Sequence, residues 1–309
     1  MINATPKVSV IIPIYNTAPY LRACLDSICQ QTLHDIEILL VDDGSTDECP
    51  LIIEEYARKD NRIRHWRQFN QGQSVARNVA IAAARGEYVY FMDSDDLLEL
   101  EALEDCYNRC TNQQLDFVCF DADNMNDADS TFSPCYQRAD NIDDSRIWPG
   151  ILFMNHLLDQ HIWQVSVWLT FVRLSFLRSF FPGFPAGFIH EDNLYMVLLC
   201  LHAQRVGYIS HSYFKRRIRP QSTMTTTFGM RNIEGYTTVS SRLEQVARVH
   251  PEWRDAIDKF YRVTWNAVIW QARGMDLWTK IECMVKLKRL HLAQYITCKN
   301  WIRFWIKKI

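Results

Sequence analysis

The chain has 309 residues, of which 48 % are apolar, and its formal net charge at pH 7 is −2. This length suits one large domain or a domain with an appendage, and the apolar content is enough for a sizeable core. A net charge near zero argues against a general nucleic-acid-binding protein, because such proteins rely on an excess of Lys and Arg.

The cysteines and the amino terminus indicate the compartment. Ten cysteines are present, without a Cys-x-x-Cys pair or the spacing of a zinc site. Free thiols in a reducing cytoplasm are the interpretation this favours. Residues 1–7 contain no apolar signal core, and no window reaches the roughly 20 apolar residues that a membrane span needs.

Strands and helices alternate through the first part of the chain. Apolar and β-branched runs predict strands at Val8–Asn16 (ending near Pro13), Ile36–Val41, Arg62–Arg67 and Tyr88–Met92. Amphipathic spacing predicts helices at Leu21–Gln30, Glu48–Lys59, Ser74–Ala84 and Leu97–Cys110. This alternation predicts a mostly parallel sheet with right-handed crossovers. Neither a dinucleotide-binding glycine motif nor a P-loop is present, so those chemistries are not indicated.

Carboxylates cluster at the ends of two predicted strands. Asp42 and Asp43 end the second strand, and Asp93, Asp95 and Asp96 end the fourth. The carboxyl ends of strands are where an α/β sheet presents its ligand site. The like charges after the fourth strand repel one another, and a divalent cation would relieve that repulsion. The alternative is a solvated Asp-rich turn that caps the next helix.

Two basic features suit an anionic ligand. Arg77 and Asn78 lie in the first turns of the third predicted helix, where Arg77 is either a surface charge or a cation aimed at phosphate. The segment Tyr213–Thr225 mixes four basic residues with small hydroxyls, as a diphosphate site does. A plain surface strand is the alternative for that segment.

The polar segment Asp121–Asp144 imitates a calcium loop. It fails on spacing, because Asn126 stands where the sharp-turn glycine belongs and Phe132 where the closing glutamate belongs. A solvated loop or hairpin is therefore predicted, with Asp127 and Asp129 among its acidic residues.

Aromatic and acidic residues in the middle of the chain each allow two interpretations. Trp163 and Trp168 belong either to the core, which is favoured for each alone, or to a platform for a sugar ring. Glu191 and Asp192 precede a predicted helix at Leu194–His202. Carboxylates there either complement the helix dipole or present a general base.

Helical periodicity dominates from Arg231 to the end of the chain. In residues 296–309, helical spacing places Lys299, Arg303 and Lys307 on one face. The other face carries Trp301, Ile302, Phe304, Trp305, Ile306 and Ile309. This pattern is typical of an interfacial membrane anchor, and a helix docked on its own protein or on a partner subunit is the alternative.

Five segments together resemble the family 2 glycosyltransferases with the GT-A fold. They are Val8–Asn16, Val41–Asp47, Ala76–Asn78, Gly86–Asp96 and Glu191–Asp192, in the order and spacing of that family. The resemblance implies an α/β GT-A domain at residues 1–228, with a mixed, mostly parallel sheet flanked by helices. Its donor half would be about 1–120 and its acceptor half about 121–228, followed by a helical region at 229–309 with a basic amphipathic tail.

The resemblance also implies roles for individual residues. The nucleotide sugar would be bound by Pro13, Tyr15, Asn16, Asp43, Arg77, Asn78, Asp93, Ser94, Arg219 and Ser222, with Thr223 beside them. Asp95 would bind Mn²⁺ or Mg²⁺, and Asp192 would be the catalytic base. Trp168 and Glu191 would lie on the acceptor side. His211 is displaced from the place where relatives carry a further metal ligand, so it is left out of the site.

The activity implied is an inverting transfer from a nucleotide-diphosphate sugar, with UDP expected through Asp43, to a hydroxyl of a glycan or lipid-linked glycan. Precursors of lipopolysaccharide or capsule at the cytoplasmic face of the inner membrane are the expected acceptors. A catalytically silent nucleotide-sugar-binding or scaffolding module is the alternative. A nucleotidyltransferase is disfavoured, because Ile14–Tyr20 lacks a Gly-rich basic loop.

Overall fold

A computed structural model describes residues 5–126, 136–218 and 228–306. The strands are β1 (Val8–Ile14), β2 (Ile36–Asp42), β3 (Ile63–Arg67), β4 (Tyr88–Phe91), β5 (Leu97–Leu98), β6 (Phe117–Asn126), β7 (Thr170–Arg173) and β8 (Val206–Ile218). The α-helices are α1 (Ala18–Cys29), α2 (Cys49–Lys59), α3 (Gln73–Ala83), α4 (Ala102–Gln113), α5 (Gly150–Asp159), α6 (Leu174–Phe180), α7 (Glu191–His202), α8 (Met230–Val249), α9 (Arg254–Ala272), α10 (Leu277–Arg289) and α11 (Cys298–Trp305).

The chain divides into two compact units. The described residues of the first come from Met1–Gly150, Gln164–Gly187 and His202–Pro220. Those of the second come from Ile151–Trp163, Phe188–Leu201 and Gln221–Ile309. The functional division at residue 228 stays a prediction.

The first unit contains one mixed sheet. Its strands follow the order β3-β2-β1-β4-β7-β6-β8-β5. Strands β1 to β4 pair in parallel, as the alternation of strands and helices predicts. Strand β7 is antiparallel to both β4 and β6, while β8 is parallel to β6 and antiparallel to β5. The prediction of a mixed α/β sheet flanked by helices is confirmed.

Strands β1 and β2 form the centre of the core. Every residue of both strands is buried, which explains their mostly apolar sequences. Strand β1 continues one residue past Pro13, to Ile14. This is possible because the ladder with β4 ends at Ile11, paired with Phe91, so Pro13 interrupts no bond on that side.

The predicted start of the fourth helix was wrong. Leu97 and Leu98 form strand β5, paired with Lys215 and Phe214, and the helix predicted from Leu97 begins at Ala102. Two consecutive leucines are compatible with either a helix or a strand. Their pairing partners in β8 lie more than 100 residues away in the sequence, so local sequence pattern could not predict this strand.

Within the segment Asp121–Asp144, predicted as a solvated loop or hairpin, residues 121–126 instead continue strand β6. They pair with β8, which extends to Ile218. Asp121 is buried and accepts hydrogen bonds from the Arg138 amide (2.7 Å) and the Tyr208 hydroxyl (2.6 Å). A buried carboxylate is stable here because its oxygens are satisfied. Asp127 and Asp129 lie outside the described residues.

The second unit is helical, as predicted for the carboxyl-terminal region. Its core includes Trp265 of α9, whose indole N–H donates to the Ser240 hydroxyl of α8 at 3.2 Å. Tyr261 donates to the Ser240 carbonyl at 2.8 Å. Among the described helices, none is both long enough and apolar enough to cross a bilayer.

Candidate active site

Three loops meet where β2, β1 and β4 end, because these strands are parallel neighbours. The loop after β1 carries Asn16, a non-glycine residue with a positive φ of 51°. Its backbone N–H donates to the Ser45 hydroxyl at 3.1 Å, and its side-chain oxygen accepts from the Thr46 amide at 2.8 Å. Thr17 and Ser94 hydroxyls lie 2.9 Å apart. Hydrogen bonds therefore join the three strand-end loops. We call this joined edge, which includes Asn16, Thr17, Ser45, Thr46 and Ser94, the rim.

Asp43 organises the loop that precedes α3. Its buried carboxylate accepts from the Gln68 side chain at 2.7 Å, from the Gln71 amide at 2.9 Å and from the Gly72 amide at 2.8 Å. Beside it in the rim, Pro13 is buried, whereas Tyr15 is 47 % exposed.

Arg77 and Asn78 hold neighbouring parts of the site. Arg77 is buried and donates to the Asp93 carboxylate at 2.9 Å, with its guanidinium 5.4 Å from the Phe184 ring centre. The surface-charge interpretation of Arg77 is therefore wrong. The Asn78 amide donates to the Phe184 carbonyl and accepts from the Phe184 N–H, each at 2.7 Å. Asn78 thus fixes the backbone of the loop after α6.

The acidic turn after β4 is restrained by Arg217 of β8. The Arg217 backbone N–H donates to the Asp96 carboxylate at 2.6 Å, and its Nε donates to the Asp95 carbonyl at 2.9 Å. Its guanidinium also lies 4.9 Å from the Tyr20 ring centre. Burial, and then the charges of Asp95 and Asp93, raise the pKa of Asp96 well above its ordinary value.

The donor set of this turn fits a hard divalent cation bound together with a diphosphate. Asp93 and Asp95 are partly exposed and offer carboxylate oxygens. Within the described ranges, no three His, Cys, Asp or Glu side chains converge on a complete ion site. A divalent ion bound together with a nucleotide would need only one or two protein carboxylates here, since phosphate and water oxygens would complete its shell.

In the second unit, Asp192 stands in the first turn of α7. Its carboxylate accepts from the Asn193 amide at 3.0 Å and from the Asn193 side chain at 3.3 Å. Glu191 beside it is buried. The position is consistent with the favourable placement of carboxylates at a helix amino terminus.

Helix α8 fixes the residues that precede α7. His190 has a φ of 73°, stacks on the Tyr236 ring at 4.1 Å and bonds the Asn232 side chain at 3.2 Å. Burial lowers the pKa of His190 to about 4, so the imidazole is neutral near pH 7. A Cβ on Gly235 would lie 2.3 Å from the Ile189 carbonyl oxygen, so only glycine allows this approach.

The structure places Trp168 and His211, but not the predicted site residues of the basic segment. Trp168 is buried and stacks on Phe214 with ring centres 4.1 Å apart, which favours the core interpretation. His211 contacts Glu99 at 3.0 Å. Arg219, Ser222 and Thr223 lie outside the described residues.

Arg217 is the site residue that sequence reasoning missed. It lies in the basic segment Tyr213–Thr225, but the sequence gives no means of choosing among the neighbouring arginines. Alternation along β8 was the available signal, because it separates Arg217 from Arg216, whose guanidinium lies 5.4 Å from the Tyr136 ring centre.

The family profile described as "Glycosyl transferase family 2" matches residues 9–175. The chain therefore belongs to glycosyltransferase family 2. "Glycosyltransferase GlyA" of Streptococcus pneumoniae is 33 % identical over 224 residues, which cover 70 % of this chain and 31 % of GlyA. The chain spans less than half the length of the first curated relatives that it matches.

Two solved structures share the fold. TarS of S. aureus (residues 1–349), in complex with UDP-GlcNAc, is similar with a TM-score of 0.64 and 21 % identity, covering 94 % of this chain and 89 % of that one. The mannosyltransferase PcManGT from Pyrobaculum calidifontis, in complex with GDP-Man and Mn²⁺, gives a TM-score of 0.61 at 16 % identity and covers 99 % and 89 %. The predicted family and GT-A fold are confirmed.

Proposed function

We propose that this protein is an inverting glycosyltransferase that moves a sugar from a nucleotide-diphosphate sugar to a hydroxyl of a glycan or lipid-linked glycan. The observation that carries the proposal is the rim at the ends of β1, β2 and β4. There, in a family 2 domain, the loop after β1 is hydrogen-bonded to Thr46 after β2 and to Ser94 of the acidic turn, and the buried Asp43 lies at the end of β2.

The donor is a nucleotide sugar, with UDP-sugars tested first. Tyr15 offers an exposed ring to a base, and Asp43 lies in the neighbouring loop. Asp93 is proposed to bind the ribose. Arg77 acts by positioning Asp93, since its guanidinium donates to that carboxylate. TarS has been crystallised with UDP and with UDP-GlcNAc, which supports UDP as the first choice.

Asp95 is the proposed protein ligand of Mn²⁺ or Mg²⁺. The PcManGT complex with Mn²⁺ supports a divalent ion in this fold. When bound, such an ion supplies Lewis-acid stabilisation of the negative charge that develops on the departing diphosphate. The Arg217 contacts hold the turn that carries Asp95 in position.

Asp192 is the proposed general base. Its carboxylate takes the proton of the acceptor hydroxyl as that oxygen bonds to the anomeric carbon, while the bond to the diphosphate breaks and its electron pair leaves with the nucleotide. Attack opposite the leaving group inverts the anomeric centre. General-base assistance of this kind contributes about 10²–10⁴-fold to the rate.

The site of action is proposed to be the cytoplasmic face of the membrane, on precursors of lipopolysaccharide, capsule or a related polysaccharide. The basic and aromatic carboxyl-terminal sequence supports this location.

The test measures transfer, slow donor hydrolysis and UDP binding with a panel of UDP- and GDP-sugars and Mn²⁺. Asp192→Asn should lower transfer by about 10²–10⁴-fold while UDP binding is unchanged. Asp255→Asn, an exposed carboxylate of α9, is the matched control and should transfer normally.

Three outcomes oppose the proposal. Product with retained anomeric configuration, seen by NMR, excludes the inverting mechanism. Normal transfer by Asp192→Asn excludes that residue as the base. Binding of UDP without transfer or hydrolysis of any donor identifies a nucleotide-sugar-binding module instead.

A further inference from the structure

Helix α11 leaves part of its predicted apolar face in solvent. Phe304 is the buried residue of this described helix. Its neighbours Ile302 and Trp305 are 61 % and 39 % exposed, and Ile306, just past the helix, is 59 % exposed. Trp301 turns inward, with its indole N–H 3.4 Å from the Ala293 carbonyl. The apolar face is therefore divided between packing and solvent.

A second helix, α10, also carries exposed apolar side chains. Leu277 and Trp278, in the first turn of α10, are 60 % and 79 % exposed. Lys280, in the same turn, is buried with its Nζ 5.4 Å from the Phe304 ring centre, so the start of α10 adjoins α11. Asp276 caps α10 by accepting from the Trp278 and Thr279 amides at 3.0 and 3.1 Å, which holds this turn in helical form.

Cations accompany these apolar side chains. Lys299 and Arg303 of α11 are exposed. The Arg303 and Arg273 guanidinium groups lie 5.1 and 3.6 Å from the Trp270 ring centre, so both are held close to α9. Between Leu277 and Ile309 the sequence has eight basic residues against the single acidic Glu282.

We propose that Leu277, Trp278, Ile302, Trp305 and Ile306, with Lys299 and Arg303, form the surface by which this protein binds an anionic lipid bilayer. We name it the α10–α11 surface. The inference rests on the proposed function for its membrane location and goes beyond the tail helix by assigning two residues of the surface, Leu277 and Trp278, to α10.

The chemistry of this surface favours a bilayer over a protein partner. Tryptophan side chains favour the membrane–water interface, where the ring is apolar and the indole N–H can bond to water or headgroups. Aliphatic side chains enter the acyl boundary, and lysine and arginine attract anionic headgroups. The excess of positive charge complements such a surface, and its binding should weaken as salt rises.

The experiment is flotation of the whole protein with vesicles of phosphatidylcholine, with and without phosphatidylglycerol. Trp278→Ser on α10 and Ile302→Ser on α11 are tested separately. Each should lower partitioning into anionic vesicles by about tenfold. Leu51→Ser on α2, also a highly exposed apolar residue at 72 %, should change nothing. Thermal unfolding checks that all variants are folded.

Distinct outcomes overturn the inference. Loss of binding in Ile302→Ser alone would mean that α10 takes no part, and equal binding to both kinds of vesicle would exclude anionic recognition. Vesicle binding unchanged in both variants also overturns it. A change of oligomeric state in Trp278→Ser by analytical ultracentrifugation, with no change in vesicle binding, would identify a self-association surface instead.

These outcomes are separate from failure of the proposed function. UDP binding and slow donor hydrolysis need no vesicle, and both variants should retain them unchanged. Loss of vesicle binding together with normal hydrolysis therefore tests the α10–α11 surface alone.

Discussion

At the scale of single residues, the candidate site depends on side chains that hold loops as much as on those offered to a ligand. Asp43, Asn78 and Arg217 each bond backbone groups of a neighbouring segment. The sequence alone does not identify such contacts, because a single Asp, Asn or Arg can serve many roles. They become identifiable only when the partner backbone is known.

Arg217→Ala should weaken Mn²⁺ binding in the presence of UDP by about 10–100-fold, because residues that orient metal ligands have effects of this size. The substitution keeps the hydrogen bond from the backbone N–H of residue 217 to Asp96, but it removes the hydrogen bond from Nε to the Asp95 carbonyl. Titration calorimetry with Mn²⁺ measures the change.

Arg22→Ala is the control for Arg217→Ala, since it removes the same charge from an exposed position paired with Glu55. Arg217→Lys should recover only part of the affinity, because a lysine lacks the guanidinium Nε. Equal Mn²⁺ affinity in Arg217→Ala and wild type would show that the acidic turn does not need this restraint.

Gly86→Ala should lower the free energy of unfolding by about 1–3 kcal/mol, because it adds a methyl group to a closely packed position. A Cβ at this position would lie 2.5 Å from the Ser9 backbone nitrogen and 2.7 Å from the Ser9 hydroxyl. Urea unfolding followed by circular dichroism measures the loss. Gly274→Ala is the control, because no atom lies within 4 Å of its added Cβ, and it should not destabilise the protein.

At the scale of elements, the amino ends of β1 and β2 are joined by a buried carboxylate. Glu37 of β2 accepts from the Ser9 hydroxyl at 2.7 Å and from the Arg85 amide at 2.6 Å, and pairs with Arg64 at 3.1 Å. Burial opposes ionisation of Glu37, but the hydrogen bonds from Ser9 and Arg85 outweigh it and lower the pKa of this carboxyl. The ionised form therefore stabilises the fold.

Glu37→Gln should cost about 1–3 kcal/mol of unfolding free energy at pH 7. Because the folded pKa is depressed, the contribution of Glu37 is complete above the unfolded pKa of about 4.3 and is lost as pH falls through the folded value. The difference between wild type and Glu37→Gln should thus shrink in acid. Urea titrations at neutral and acidic pH measure it, and a difference that grows in acid would contradict this assignment.

The elements also show what the sequence could predict. Strands β1, β2 and β4 were predicted because each is buried on both faces and has a mostly apolar sequence. Strand β5 and the second half of β6 were missed. Both depend on pairing with β8, and residues such as Asp121 are polar in sequence but are satisfied by partners distant along the chain.

At the scale of the whole molecule, motif spacing carried the family assignment. Asp43, Asp93 and Asp95 were predicted because they follow strands whose parallel order brings their ends together. The helical last third of the chain has no comparable motif, and the exposed apolar residues of α10 were not predicted. Local amphipathicity in α11 did not show which apolar residues would be covered by its neighbours, since that depends on tertiary packing.

The proposed function depends most on the acidic turn being the nucleotide and metal site. Calorimetric titration of UDP, with and without Mn²⁺, into wild type, Asp95→Ala and the control Asp140→Ala tests this directly. Asp140 is an exposed carboxylate of the same unit.

We expect Mn²⁺-dependent UDP binding in wild type and Asp140→Ala, and loss of this binding in Asp95→Ala. UDP binding of equal affinity with and without Mn²⁺, and in wild type and Asp95→Ala, would contradict the proposed site. The acidic turn would then have only a structural role.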